Sequence, residues 1–140
     1  GYSEKWINQR LKSIEVRKEL TDEWKNRGVA EGKEFALLTD IISKAWSGNT
    51  TQEYKKLKNL KKENLRDNMT NLELVLNMLA EATTTEISKE KKPKGLEESK
   101  KVAKQGGTIA GNTRKAIEAK TGNKIVTSKN AQNLLEDKKT

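Results

Sequence analysis

The segment Thr70-Asn71-Leu72-Glu73-Leu74-Val75-Leu76-Asn77-Met78-Leu79-Ala80, running on to Lys91, decides the fold. Thr70 and Glu73 form a capping box: the hydroxyl takes the N3 amide and the carboxylate takes the N-cap amide, so a helix starts at 71. Leu72, Val75, Leu76 and Leu79 mark one face at helical spacing, and Leu74 and Met78 widen it. A helix that is apolar on most sides sits centrally. It reaches about residue 91, because Lys92 precedes Pro93 and the residue before a proline is pushed out of the helical region.

Helices also surround this segment. Upstream, Thr50-Thr51-Gln52-Glu53 is a second capping box, opening a helix that carries Tyr54 and Leu57. A further short helix near 61–68 is expected to bury Leu60 and Leu65. Phe35, Leu38, Ile42 and Ala45 share a stripe, broadened by Leu37, Ile41 and Trp46. Residues 31–47 therefore read as one helix, or two if Thr39-Asp40 breaks it by competing for backbone hydrogen bonds. Near the N-terminus, Ser3 is a candidate N-cap and Ile7, Leu11 and Ile14 follow i, i+4, i+7 spacing. That helix runs from about 4 to 19. It either continues through Leu20 and Trp24 to a stop at Gly28, or gives way to a short helix started by Thr21-Asp22-Glu23.

Downstream of Pro93 the pattern thins. Leu96–Gln105 reads as a polar helix ended by Gly106-Gly107. Thr108–Lys120 reads as another, with Ile109, Thr113, Ala116 and Ile117 inward and Gly122 as the stop. Lys124-Ile125-Val126 is a short extended piece, and Ser128 is a candidate cap for a last helix carrying Leu134 and Leu135. No window shows sustained alternation of period two, so the expected class is all-α.

The chain has 140 residues, with 29 Lys and Arg against 20 Asp and Glu, a net charge of +9. It has neither Cys nor His. That excludes a disulfide framework, thiolate chemistry, an imidazole base and the usual zinc sites. No cofactor is expected, nor is any apolar run near the ~20 residues of a membrane span. There is no signal-peptide pattern. The start at Gly1 rather than Met leads to the expectation of a piece cut from a longer protein.

Apolar content is uneven. Of 35 large apolar side chains, 27 fall in residues 1–92, together with every aromatic. Charge divides the other way: +3 in residues 1–92 and +6 in 93–140. The expected architecture is an irregular multi-helix bundle over 1–92 with a basic helical appendage over 93–140. The apolar residues after Pro93 need a partner surface. They dock on their own bundle or exchange across a homodimer, a low-cost route when a hinge such as 92–95 intervenes. At least some homodimer is expected.

Several stretches resemble the C-terminal region of the DNA-damage-inducible protein D family. They are Trp24-Lys25-Asn26-Arg27-Gly28, the run from Glu53 to Met69, the segment from Asn71-Leu72-Glu73-Leu74 into Ala80-Glu81-Ala82-Thr83, and Gly106-Gly107-Thr108-Ile109-Ala110-Gly111-Asn112-Thr113-Arg114-Lys115. The long central run is the specific part. The resemblance implies a bacterial cytoplasmic protein expressed under DNA damage, with an N-terminal part, similar to that of phage antirepressors, absent here. It implies no catalytic residues.

The main candidate site is the basic stretch Lys101, Lys104, Arg114, Lys115, Lys120, Lys124 and Lys129, which within 101–130 meets one acid, Glu118. Lysine and arginine on a helical arm neutralise phosphates and release counterions. The plainer alternative is a solvated surface. No aromatic accompanies these residues, so a stacking platform for single strands is not expected. Residues 96–120 read either as a helix-turn-helix with Asn112, Arg114 and Lys115 at the front of its second helix, or as two helices packed through Gly107 and Gly111. A second cluster, Lys55, Lys56, Lys58, Lys61, Lys62 and Arg66, is read as a solvated face over Leu57, Leu60 and Leu65, with Arg66-Asp67 as an ion pair or helix-end contact. The tryptophans and Tyr54 are read as core, except Trp6, which with Ile7 forms a sticky end or pairs with a second copy. Glu73, Glu81 and Glu86 show no perturbing neighbour in the sequence.

The expected function is a non-enzymatic accessory of the DNA-damage response. It binds nucleic acid or a repair nucleoprotein through 101–129. The alternative is a protein-interaction or dimerisation module, with a DNA-repair protein as partner. A nuclease is a distant third reading, because paired metal-binding carboxylates are not evident.

Overall fold

The computed structural model describes the backbone of residues 1–139 and the side chains of residues 1–135. Among the described residues it is all-helical. The elements are α1 (Glu4–Asn26), α2 (Lys33–Ser47), α3 (Thr51–Leu57), a 3₁₀ turn at Arg66–Asn68, α4 (Asn71–Lys91), α5 (Gly95–Thr121) and α6 (Ala131–Lys139). No helix among them is long and apolar enough to cross a membrane.

Both capping boxes form. Thr50 Oγ1 accepts from Glu53 N at 3.2 Å, and Glu53 returns a bond to Thr50 N at 2.8 Å. Thr70 and Glu73 do the same at 3.2 and 2.9 Å. Ser3 caps α1 through Trp6 N. Of the two readings for 4–28, the continuous helix is found, and Thr39-Asp40 does not break α2. Thr39 instead donates to Phe35 O within the helix. Gly48 and Gly122 end α2 and α5 in the left-handed conformation, Gly122 as expected. Residues 61–65 form no helix, and only the single 3₁₀ turn follows them. Asn130 rather than Ser128 caps α6, its Oδ1 accepting from Gln132 N and Asn133 N.

The largest departure lies at Gly106-Gly107. The expected stop is absent, and α5 runs unbroken through both glycines. No helix-turn-helix forms. Each interior glycine costs roughly 1 kcal/mol of helix propensity against alanine, but here the missing side chain sets the packing. Ala103, Gly106, Gly107, Ala110 and Gly111 form a smooth buried face. A Cβ on Gly107 would lie 2.7 Å from Ala45 Cβ and 2.8 Å from the Ile42 carbonyl oxygen. One on Gly106 would strike Thr84, and one on Gly111 would strike the Ala45 carbonyl. The alternative of two helices packed on each other is not found either; Gly107 and Gly111 do allow close approach, but of α2 to one continuous α5.

α5 therefore packs on both α2 and α4, and α4 packs on both α1 and α5. Within the single chain, α5 packs into the bundle against α2 and α4. The 92/93 boundary coincides with the α4–α5 turn, which Arg27 at the end of α1 holds by accepting a 2.7 Å bond from Gly95 N. The core gathers Leu20, Trp24, Leu38, Ile42, Trp46, Tyr54, Leu74 and Ala80. Trp6 also belongs to it, donating from Nε1 to Met69 O at 2.8 Å under the stacked ring of Tyr2. Trp6 is thus core rather than part of a sticky end, while Ile7 beside it is exposed.

Two helices face differently from their patterns. α4 is central, but its buried side is largely polar: Glu73, Asn77, Glu81, Thr84, Thr85 and Ser88 join Leu74, Leu76 and Ala80, while Leu72 is exposed. α1 buries Trp6, Ser13, Leu20, Glu23 and Trp24 and leaves Ile7, Leu11 and Ile14 in solvent.

Candidate nucleic-acid interface

The basic residues after Pro93 divide by position on α5. Lys101, Lys104 and Lys115 are exposed and fall within about 60° of arc on an α-helix, spanning about 21 Å along it. Thr108 and Asn112 lie between them on the same outer row, and both are exposed. No acid occurs from Ser99 to Ile117. Lys120 is exposed but sits more than a third of a turn away from the row's centre. Lys124 and Lys129 are exposed in the segment beyond α5, which returns to α3.

Arg114 points the other way. Its Nε donates to the Trp46 carbonyl at 2.7 Å and its guanidinium bonds Glu118 at 2.8 Å, so it staples α5 to the end of α2. Glu118 also accepts from Ile125 N at 3.0 Å, which folds the chain back after Gly122. Burial pushes the Glu118 carboxyl up, but the Ile125 amide and the Arg114 guanidinium outweigh it and hold it below the usual range.

Two shallow apolar grooves flank the lysine row. One is lined by Ile87, Ile109 and Thr108 with Lys91, Lys101 and Lys104. The other is lined by Leu37, Ile41 and Ala45 with Lys44 and Lys104. Lys104 lines both; Lys91 adds charge to the first, whereas the second also holds Asp40, and its Lys44 pairs with Glu53 at 3.1 Å.

The second basic cluster is not a uniform solvated face. Lys56, Lys61 and Lys62 are exposed, but Lys58 is fully buried and Leu57 is exposed. Lys58 Nζ meets Glu73 at 2.7 Å, donates to the Thr127 carbonyl at 2.9 Å and also reaches the Lys129 carbonyl. Burial pulls its pKa down against the opposing pull of Glu73. The Tyr54 hydroxyl donates to the same carboxylate, and burial with that negative charge pushes its pKa far up. Arg66 and Asp67 do not pair with each other: Arg66 bonds Glu81 at 3.1 Å and Asp67 bonds Arg10 at 2.8 Å.

Glu81 is buried and also takes Arg17 at 2.9 Å, whose guanidinium lies 5.3 Å from the Trp24 ring centroid. Burial lowers the Arg17 pKa. Beside this network lies a polar cavity of about 160 Å³, lined by Thr39, Ser43, Lys55, Arg66, Asn77 and Glu81 among others. Sequence reasoning missed these buried charges. The available signal was Glu73 itself, whose capping role already fixed its side chain at the start of the central helix. Glu86 is exposed. Among the described residues no group of three or more acidic side chains converges as a metal-ligand set.

The molecule is thus a helical bundle whose α5 carries an exposed row of lysines beside two apolar grooves, with Glu73 and Glu81 held in buried ion pairs. The family model of the DinD C-terminal domain matches residues 3–133, and the chain belongs to that family. Membership ties it to a DNA-damage-related role. No curated protein matches the chain.

Proposed function

We propose that this domain is a non-enzymatic accessory of the bacterial DNA-damage response, working in the cytoplasm. It binds nucleic acid, or a repair protein already on nucleic acid, through the outer face of α5. The observation that carries the reading is the row Lys101, Lys104 and Lys115, exposed on one side of a rigid helix with no acid among them. Such a row meets the phosphate backbone and gives salt-sensitive binding without sequence preference. Lys120, Lys124 and Lys129 add charge at the helix end. Arg114 contributes by holding α5 in place.

The test is titration of the chain into single- and double-stranded DNA at two salt concentrations. Binding falls steeply with salt, and a K101E/K104E/K115E variant loses at least tenfold in affinity. Three lost phosphate contacts reduce the slope of log K against log salt by about 2.7 on duplex DNA. No binding at low salt rejects the reading. The two apolar grooves beside Lys104 favour a second reading, a module that takes apolar side chains of a repair protein. In that case Ile109→Asp abolishes partner capture and the lysine variant leaves it intact.

A further inference from the structure

The exposed side of α1 carries a pattern that the fold does not use. Ile7, Leu11 and Ile14 are 43%, 58% and 51% exposed. Large aliphatic side chains scattered singly on a surface are ordinary, but these stand in one row. With Glu4 before them and Lys18 after them, both exposed, the row is spaced three, four, three, four. That is the a/d seam of a coiled coil, in which side chains of one helix fill the holes of another. The opposite side of α1 packs on α4, so the seam faces away from the molecule.

The charges at its ends decide what covers it. Glu4 and Lys18 are equidistant from Leu11 along the helix. A two-fold axis at Leu11 brings a second α1 alongside in antiparallel order. Each Glu4 then meets the partner's Lys18, each Ile7 lies within about one residue rise of the partner's Ile14, and Leu11 meets its own counterpart. Parallel pairing sets Glu4 against Glu4 and Lys18 against Lys18. Lys18 already bonds Asp22 at 2.9 Å on its own helix, so the intermolecular pair extends that exposed chain of charges rather than opening a buried one. The α5 lysine row lies on a helix across α4 from α1 and stays outside this contact.

We infer that the chain forms a reversible homodimer through antiparallel pairing of α1 along Ile7, Leu11 and Ile14, with Glu4 opposite the partner's Lys18. The absence of cysteine makes the register directly readable. A Leu11→Cys variant, oxidised at the concentration where the chain is dimeric, gives a covalent dimer on a non-reducing gel. A Gln105→Cys variant on the far side gives at least fivefold less. In sedimentation, Leu11→Gln, Glu4→Lys and Lys18→Glu each weaken association at least fivefold with circular dichroism unchanged, and E4K/K18E together recover it. A chain that is monomeric at every accessible concentration overturns the inference. So does a dimer that Leu11→Cys fails to trap, or one whose double charge swap brings no recovery.

Discussion

Lys58 Nζ and Glu73 Oε1 lie 2.7 Å apart, and both side chains are completely withdrawn from solvent. A lysine is among the residues least often fully buried unless paired. Here every hydrogen-bonding direction has a use: one bond goes to Glu73 and two to the carbonyls of Thr127 and Lys129. The pair thus joins α3 to the start of α4 and pins the segment leading to α6. Removing one partner leaves a buried charge without its counter-ion, which costs about 3–5 kcal/mol. Lys58→Met is expected to lower the urea-unfolding free energy by that amount, and K58M/E73Q to recover part of it. Amide exchange at 125–131 rises in the single variant, because the two carbonyls lose their anchor.

Gly107 and Gly111 are expected to resist alanine, although alanine is the better helix former by roughly 1 kcal/mol. The new methyl at 107 meets Ala45 and the Ile42 backbone, and at 111 it meets the Ala45 carbonyl. Backbone cannot swing aside as a side chain can, so α5 must move off α2. Overpacking of this kind costs about 1–3 kcal/mol. Each variant should show a lower midpoint in thermal unfolding. A gain in stability at either position would mean that the helices do not approach as closely as described.

What the sequence disclosed and what it hid follow one physical line. Helix starts were legible because a capping box is local: Thr50 with Glu53 and Thr70 with Glu73 form their bonds within four residues, whatever packs against them. Long-range choices were hidden. Periodicity placed Ile7, Leu11 and Ile14 on one side of α1 but carries no sign for inside or outside. Gly106-Gly107 has the composition of a turn, and only the nearness of Thr84 and Ala45 makes it a packing surface. Lys58 sits among exposed lysines and differs from them by facing Glu73, a relationship across 15 residues. The basic row on α5 was half legible. The charge bias of 101–129 pointed to it, whereas the inward turn of Arg114 depends on the Trp46 carbonyl at the end of another helix.

Arg114 and Lys115 are adjacent and of like charge, yet are expected to respond oppositely. Arg114→Ala removes bonds to the Trp46 carbonyl and to Glu118, and should cost about 1–3 kcal/mol in chemical unfolding. Lys115→Ala touches an exposed side chain on the outer row and should stay within about 0.5 kcal/mol of the parent. In DNA titrations the order reverses: Lys115→Ala lowers the salt slope, and Arg114→Ala leaves it unchanged as long as the domain is folded.

Glu118 sets an acid limit on the turn that follows α5. Its carboxyl titrates below its ordinary value of 4.5, because the Ile125 amide and the Arg114 guanidinium favour the charged form more than burial opposes it. In the unfolded chain that help is gone and the ordinary value returns. Protons therefore bind more readily to the unfolded state. The stabilisation is complete above about pH 4.5 and is lost as pH falls through the lower folded value. Glu118→Gln keeps the shape but not the charge, so it should be less stable than the parent at pH 7. The difference should close as pH falls below 4.5 through the lower folded value. Urea midpoints measured across that range decide the matter, and a gap that stays constant would place the stabilisation in the side chain's packing instead of its charge.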